Sequence, residues 1–366
     1  MQQKQAMGEM FSAIAVASIS VIFCYAYTKY MDPRRLFKDY QGVGAGFSNT
    51  TWALYYASFE NDKHDKAWTY WSNDLSITLR DPIPKTYPLE GYYSSKNNTL
   101  LKRHMQYLHS AGIQAIIVPW FSSNRIDPRT NKKRITDKAL SKIVGVAESY
   151  NIKVAIMIPE YKNRTWVTIR QDIKRYNSLY SGRSSILRTN RRPVIFIEKA
   201  GKLEKSMYFL TTSRRTYFDS YYVAHVSTIE DIKEATESGY DAICPLYGDE
   251  KYSWATNSSH WPTIKELTRL RAMTFIPVVT PGNFETSRNG GKYYEERWET
   301  ALKYNNHVFI DSFNGWFDGT NIEPAISTEG HKLDNYNWNG KDPNAFISIT
   351  KQFAQKIAKF NNNLFD

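Results

Sequence analysis

Eight apolar runs of strand length, separated by helix-period segments and polar loops, constrain this chain more than any other feature. They are Trp52–Phe59, Ile113–Phe121, Lys153–Tyr161, Pro193–Glu198, Ser220–Val226, Tyr240–Tyr247, Thr274–Val279 and His307–Phe313. Most are bounded by Gly, Pro or Asn and are rich in Val, Ile, Tyr and Phe. Near-continuous apolar runs belong to strands buried on both faces, as in parallel sheets. Between them, Leu101, Met105 and Leu108 mark a helix ended by Gly112. Leu140, Ile143, Val144 and Ala147 mark another, with Thr136 as candidate N-cap. Ser227 and Glu230 predict a capping box for a helix that stops at Gly239. Further helices are marked by Ile264, Leu267 and Leu270, by Tyr294, Trp298 and Leu302, and by the stretch from Ala345 to Phe360. Repeated β-then-α units predict an α/β fold, a (β/α)8 TIM-type barrel in a single domain over residues 45–366. The alternative is an open doubly wound sheet. No Gly-rich phosphate loop follows the first strand, which weighs against it.

In such a barrel the C-terminal strand ends share one face. That face would collect Phe59, Glu60, Trp120, Glu160, Tyr161, Glu198, His225, Tyr247, Asn283, Glu285, Asp311, Asn314 and Asp318. No Cys/His set has zinc spacing, and no Ser sits in a nucleophile elbow, so neither metal nor cofactor is expected. Paired acids among aromatics fit glycoside hydrolysis best. Strand ends are polar in any barrel, which explains part of the set but not its aromatic bias. The chain is 15% aromatic, with 26 Tyr and 10 Trp, a composition that suits stacking against sugar C–H faces.

The most informative stretch begins as a strand at Val308-Phe-Ile310. It then breaks into a loop holding Asp311, Asn314, Trp316, Asp318, Asn321 and Glu323, with Gly315 and Gly319 placed to let it bend. Ser312-Phe-Asn-Gly-Trp-Phe-Asp-Gly-Thr-Asn-Ile-Glu-Pro-Ala325 resembles the signature of the endo-α-1,2-mannosidases, glycoside hydrolase family 99. The resemblance extends through Leu54–Phe59 with Trp68, Tyr70 and Trp71, through His104-Met105, Pro119–Phe121, Tyr161, Lys162 and Arg164, and through Phe275–Gly282 and Gly291–Tyr294. It implies a site that binds a mannose-containing oligosaccharide or glycoprotein. Tyr55, Tyr56, Trp71, Trp120, Tyr161, Arg164, Asn314, Trp316 and Glu323 are its implied substrate-binding residues.

The chain departs from that family at the chemistry. Its usual Glu base stands where this chain has Gly315, and its usual Glu acid where this chain has Asp318. By resemblance Asp318 is the acid, one methylene short, and the base position is lost. Met157 replaces a His, Glu198-Lys199-Ala200 replaces an acidic Asp-Ser-Tyr run, and Asn283 replaces a Tyr. Asp311, Glu285 and Glu198 are the candidate substitute bases. Three readings compete: a weakened hydrolase of N-glycans in the Golgi lumen, a catalytically inactive glycan-binding protein, and a scaffold without a glycan. The retained aromatics speak against the third. Replacing both positions by Glu is expected to restore the usual acid pair.

Phe11 to Thr28 carries no charged residue and is just long enough to span a bilayer. Residues 1–10 then read as a cytosolic stub, 11–28 as a signal anchor and 29–44 as a charged stem, a single-pass type II arrangement in the Golgi membrane. The alternative is a cleaved signal peptide and secretion. The positive charges follow the run rather than precede it, which argues against the anchor orientation; the length of the run argues for it. Sequons at Asn49, Asn97, Asn163 and Asn257 support a lumenal barrel. Cys24 falls in the apolar run, which leaves Cys244 without a disulfide partner in the barrel. The net charge of +12 is scattered over loops, including Lys132-Lys133-Arg134, and predicts a solvated surface rather than a nucleic-acid track.

Overall fold

The computed structural model describes residues 49–71, 86–133, 135–204, 206–245, 247–327 and 342–359. The stub, the anchor at 11–28 and the stem lie outside the described residues. Among the described residues no helix is long and apolar enough to cross a membrane.

The unit spanning Gly46–Asp366 alternates strands and helices in the order the apolar runs predict. The strands are β1 (Thr51–Leu54), β2 (Ala115–Pro119), β3 (Lys153–Ile158), β4 (Arg192–Glu198), β5 (Tyr221–Val226), β6 (Ala242–Pro245), β7 in two pieces (Thr274–Phe275 and Val278–Val279) and β8 (Val308–Ile310). The helices are α1 (Asn98–Ser110), α2 (Ile135–Glu148), α3 (Trp166–Tyr180), α4 (Ser206–Ser213), α5 (Ile229–Ser238), α6 (Trp261–Leu270), α7 (Lys292–Leu302) and α8 (Ala345–Lys359). All pairings among these strands are parallel, and β1 lies between β2 and β8.

The barrel closes through β7. Its first piece pairs with β6 and its second with β8. Pro277 sits at the break and has no N–H to donate. The ladder survives because Ile276 N donates to Ile243 O at 2.8 Å and Phe309 N donates to Pro277 O at 3.0 Å. Aromatic rings fill the interior below the site. Phe196 stacks on Phe309 with centroids 5.5 Å apart, and Trp52 meets Phe196 edge-on at 6.2 Å. His225 meets Phe309 edge-on at 6.2 Å.

Two sequence expectations shift. The capping box of α5 is Thr228 with Asp231, one residue later than expected, because the Asp231 carboxylate accepts from both Ser227 N and Thr228 N. Thr136 lies inside α2 rather than capping it, and its hydroxyl accepts from Phe121 N at 2.9 Å. The helix α3 has no aliphatic stripe to mark it. Its buried face is Trp166, Ile169, Ile173, Tyr176 and Tyr180, a helical period written partly in aromatics.

Phe309→Ala should empty the centre of this interior and destabilise the fold by about 3–5 kcal/mol. Denaturant unfolding of the variant against the natural protein measures it. A change under about 1 kcal/mol would mean the ring is not part of the packed barrel.

Candidate active site

The loop after β8 is tied down by one fully buried carboxylate. Glu323 accepts from Trp316 Nε1 at 2.6 Å and from Tyr93 OH at 2.8 Å, and pairs with His104 Nε2 at 2.9 Å. The other ring nitrogen of His104 bonds Tyr55 OH at 2.8 Å. Asn314, also fully buried, accepts from Tyr56 N at 2.7 Å and donates to Tyr56 O at 2.9 Å. These bonds join the end of β8 to the loop after β1. Glu323, Asn314, Trp316 and Tyr55 are therefore enclosed, with their polar tips used inside the protein.

The remaining implied sugar contacts divide in the same way. Trp71 is buried, donates to Tyr93 O at 2.7 Å and stacks on Phe59. Trp120 is 1% exposed. Tyr161 donates to Asp172 at 2.6 Å, and Arg164 donates to Ile158 O and Lys199 O. Tyr56 lies near the acids: its ring meets Phe317 edge-on at 4.6 Å, and burial followed by the charges of Asp318 and Asp311 holds its phenol well above the usual range. The bonds described for Asn283 go to Asp249 and to its own loop. Met157 is buried on β3 opposite Phe196.

The two glycines of the loop serve different ends. Gly319 has φ +79, and a Cβ there would stand 2.8 Å from Phe284 Cδ1, so this glycine provides the bend. Gly315 provides space. A Cβ there would lie 2.3 Å from Thr320 Oγ1, 2.5 Å from Ser312 Oγ and 2.6 Å from Asp318 Oδ1. Those atoms form a network. Ser312 Oγ and Thr320 Oγ1 are 2.8 Å apart, Gly315 N donates to Ser312 Oγ at 2.7 Å, and Thr320 Oγ1 donates to Asp318 Oδ1 at 2.8 Å. The space a side chain would need at 315 is filled by hydroxyls.

Beside that network lies a pair of acids. Asp311, directly after β8, is 1% exposed. Its Oδ2 accepts from Gly248 N at 2.9 Å, and its Oδ1 is buried with no hydrogen-bond partner among the described residues. Burial first, and the Asp318 charge second, push the Asp311 carboxyl up to about 8, against Gly248 N–H and Arg129. Asp318 is also raised, by burial, against the bonds from Thr320 and the charge of Arg129. Arg129 comes from the loop between β2 and α2, with its guanidinium 4.9 Å from the Phe317 ring centroid. Asp127 fixes that loop by accepting from Arg129 N and from Tyr70 OH, each at 2.9 Å. Sequence reasoning missed Arg129, Asp249, Ser312 and Thr320 as parts of this site. The last two stand in the quoted motif, but only geometry shows them filling the Gly315 space.

The other candidate bases are engaged or outlying. Glu198 accepts from Glu160 N at 2.7 Å, and Glu160 pairs with Lys199 and Lys202. Glu285 is exposed. Among the described residues no group of three or more His, Cys, Asp or Glu could hold a metal ion.

A parallel eight-stranded barrel with coupled carboxylates at the C-terminal strand ends is the architecture of a barrel-type glycoside hydrolase. Residues 46–359 match the sequence pattern of Glycosyl hydrolase family 99. The chain belongs to that family. It is 24% identical over 347 residues to the glycoprotein endo-alpha-1,2-mannosidase of Mus musculus, covering 84% of this chain and 74% of the relative. It is 25% identical over 297 residues to a glycoprotein endo-alpha-1,2-mannosidase-like protein of Homo sapiens, covering 75% of this chain and 64% of the relative. The fold superposes on a family 99 endo-alpha-mannosidase from Bacteroides thetaiotaomicron with a TM-score of 0.76 at 19% identity, over 86% of this chain and 99% of that one.

Two expectations follow from the geometry. Asp311 holds its proton in the folded state to about pH 8, whereas in the unfolded chain it releases it near pH 4, as an ordinary Asp does at about 3.9. Between those values the folded state binds more protons, so stability falls as pH rises. Asp311→Asn should therefore raise Tm at pH 8 and leave it unchanged near pH 3; an equal shift at both would deny the coupling. Gly315→Glu should overpack the hydroxyl network and destabilise by roughly 1–3 kcal/mol. Trimming Ser312 and Thr320 to Ala should return part of that loss in urea unfolding.

Proposed function

We propose that this chain binds mannose-containing oligosaccharides of N-glycans at the C-terminal face of its barrel and hydrolyses them far more slowly than ordinary family members. One observation carries the reading: the base position is Gly315, and the space around it is filled by Ser312, Thr320 and Asp318. A buried acid pair persists beside it. General acid–base catalysis contributes typically 10²–10⁴-fold per group. A lost base therefore removes on the order of 3–5 kcal/mol of transition-state stabilisation. The similarity to glycoprotein endo-alpha-1,2-mannosidases supports a glycoprotein oligosaccharide as ligand. The implied substrate-binding residues Tyr55, Tyr56, Trp71, Trp120, Tyr161, Arg164, Asn314, Trp316 and Glu323 belong to this proposal, the enclosed Tyr55, Trp120, Asn314, Trp316 and Glu323 as the frame of the site rather than as direct contacts, with Asp318 as its acid and Asp311 buried beside it. Nucleic acid is not among the proposed partners. An inactive glycan-binding protein is the second reading, and the filled Gly315 space is what favours it.

The proposed location is the Golgi membrane, with Phe11 to Thr28 as anchor and the barrel in the lumen. The uncharged run and the sequons support it. Protease treatment of sealed microsomes should leave the barrel intact, and digestion without detergent would remove this location.

For function, oligosaccharide binding and release should be followed together on the purified full-length protein. Binding with release at least about 100-fold below a family member carrying both Glu residues is expected. Binding with no release selects the second reading. Absence of binding would overturn both.

A further inference from the structure

We propose that Arg129 is a specificity-determining residue of this face and selects an oligosaccharide bearing an anionic substituent, a phosphate or sulfate ester or a carboxylate, on the sugar held beside Asp318. The inference rests on the glycan-binding reading of the face and names the class of glycan. It begins with how the chain sets the arginine in place. Ile126–Asp127 pairs with Lys132–Lys133 in a short antiparallel hairpin, and Arg129 stands at its tip. Asp127 closes the tip: its carboxylate accepts from Arg129 N at 2.9 Å, and its carbonyl accepts from Asn131 N at 2.8 Å. The same carboxylate accepts from Tyr70 OH, and Lys132 Nζ donates to Thr69 Oγ1 at 2.5 Å. Both legs of the hairpin are thus tied to the loop after β1. A side chain on a fixed tip loses less freedom when a ligand arrives.

The guanidinium reaches across to the loop after β8. It lies 4.9 Å from the centroid of the half-buried Phe317 ring, next in sequence to Asp318. The phenol of Tyr70 takes a bond from it. Arginine has five N–H donors and no acceptor, so the rest call for acceptors. Other cations of this face are engaged. Arg125 pairs with Asp172, Lys132 with Glu60, and Lys199 and Lys202 with Glu160. Arg129 is exposed and forms no ion pair with a carboxylate among the described residues.

The acids nearby do not supply the counter-charge. Asp311 is enclosed and keeps its proton to about pH 8. Asp318 is half-buried, and the bonds described for its carboxylate come from Thr320. It stands beyond ion-pair distance of Arg129, which leaves room for an anion on the guanidinium and a sugar hydroxyl on Asp318. The aromatic wall displaces water, so a cation there gains more from a ligand anion than it would in bulk solvent. A phosphate, sulfate or carboxylate fits the planar fork with two parallel bonds. The hydroxyls of a neutral sugar bring no charge to it. The net charge of +12 draws anions toward the protein, and the site chooses among them.

Calorimetric titration tests the assignment. Full-length protein is titrated with one mannose oligosaccharide in neutral, phosphorylated, sulfated and uronic-acid forms, and the arms identify the anion. The best anionic form should bind about 10–100-fold more tightly than the neutral one. That preference should shrink near 1 M salt, where the Debye length is about 3 Å. Arg129→Gln should bring the ratio to about one. Arg129→Lys should keep part of it, because the charge stays and the fork is lost. Lys133→Gln, which removes the same charge from the same hairpin, should keep it all. Unchanged circular dichroism and melting of the variants exclude misfolding as the cause. Equal affinity for all four forms overturns the inference and leaves the glycan-binding reading standing. A preference that survives Arg129→Gln, or that Lys133→Gln abolishes equally, overturns it as well. If no form binds, both fall.

Discussion

The buried carboxylate of Glu323 is the interaction on which the catalytic face depends. It joins three parts of the chain: its Oε2 accepts from Trp316 in its own loop and from Tyr93 in the loop after β1, and its Oε1 pairs with His104 on α1. A carboxylate in a water-free interior is tolerated only when its lone pairs are taken up in this way. Removing any one donor leaves the others holding an under-satisfied charge. The same group therefore fixes where Trp316 points, how the first loop folds over the barrel, and through His104 where Tyr55 lies. The residues that read as a sugar platform in sequence are first of all the frame of that platform.

Within the frame, the chemistry is concentrated in a small polar volume. Asp311 leaves β8 at the point where the closing strand ends, and Asp318 returns toward it from the loop. Burial raises both, and Arg129 restrains the rise. Such a pair behaves as one titrating unit, with a proton that belongs to the environment more than to either residue. The two are held differently: Thr320 bonds Asp318, whereas Oδ1 of Asp311 has no hydrogen-bond partner among the described residues. The network of Ser312, Gly315 and Thr320 is therefore part of the electrostatics as well as the packing.

The barrel was legible because its strands are buried on both sides and so appear as unbroken apolar runs. The break in β7 was not, since Pro277 lies inside such a run and only the pairing of its two flanks reveals the interruption. The helix α3 was obscured because Tyr and Trp carry its periodicity. At the site, Asp311 and Asp318 were named from their places at a strand end and in a motif. Their coupling was not readable, because it depends on burial and distance across seven residues of looped chain. Arg129 stands just before the basic run at Lys132–Arg134, which reads as solvated surface, and nothing local marks it as reaching the acids. Glu323 reads in sequence as part of the sugar site, and only the fold shows its carboxylate set between Trp316, Tyr93 and His104.

The filled space at Gly315 also decides what the position can accept. A glycine beside a void admits a larger side chain without other change. Here the space is occupied by two hydroxyls bonded to each other and to Asp318. A side chain at 315 must displace those bonds before it can enter the loop, so positions 312, 315, 318 and 320 are tied and change only together. The loop behaves as a single unit of variation.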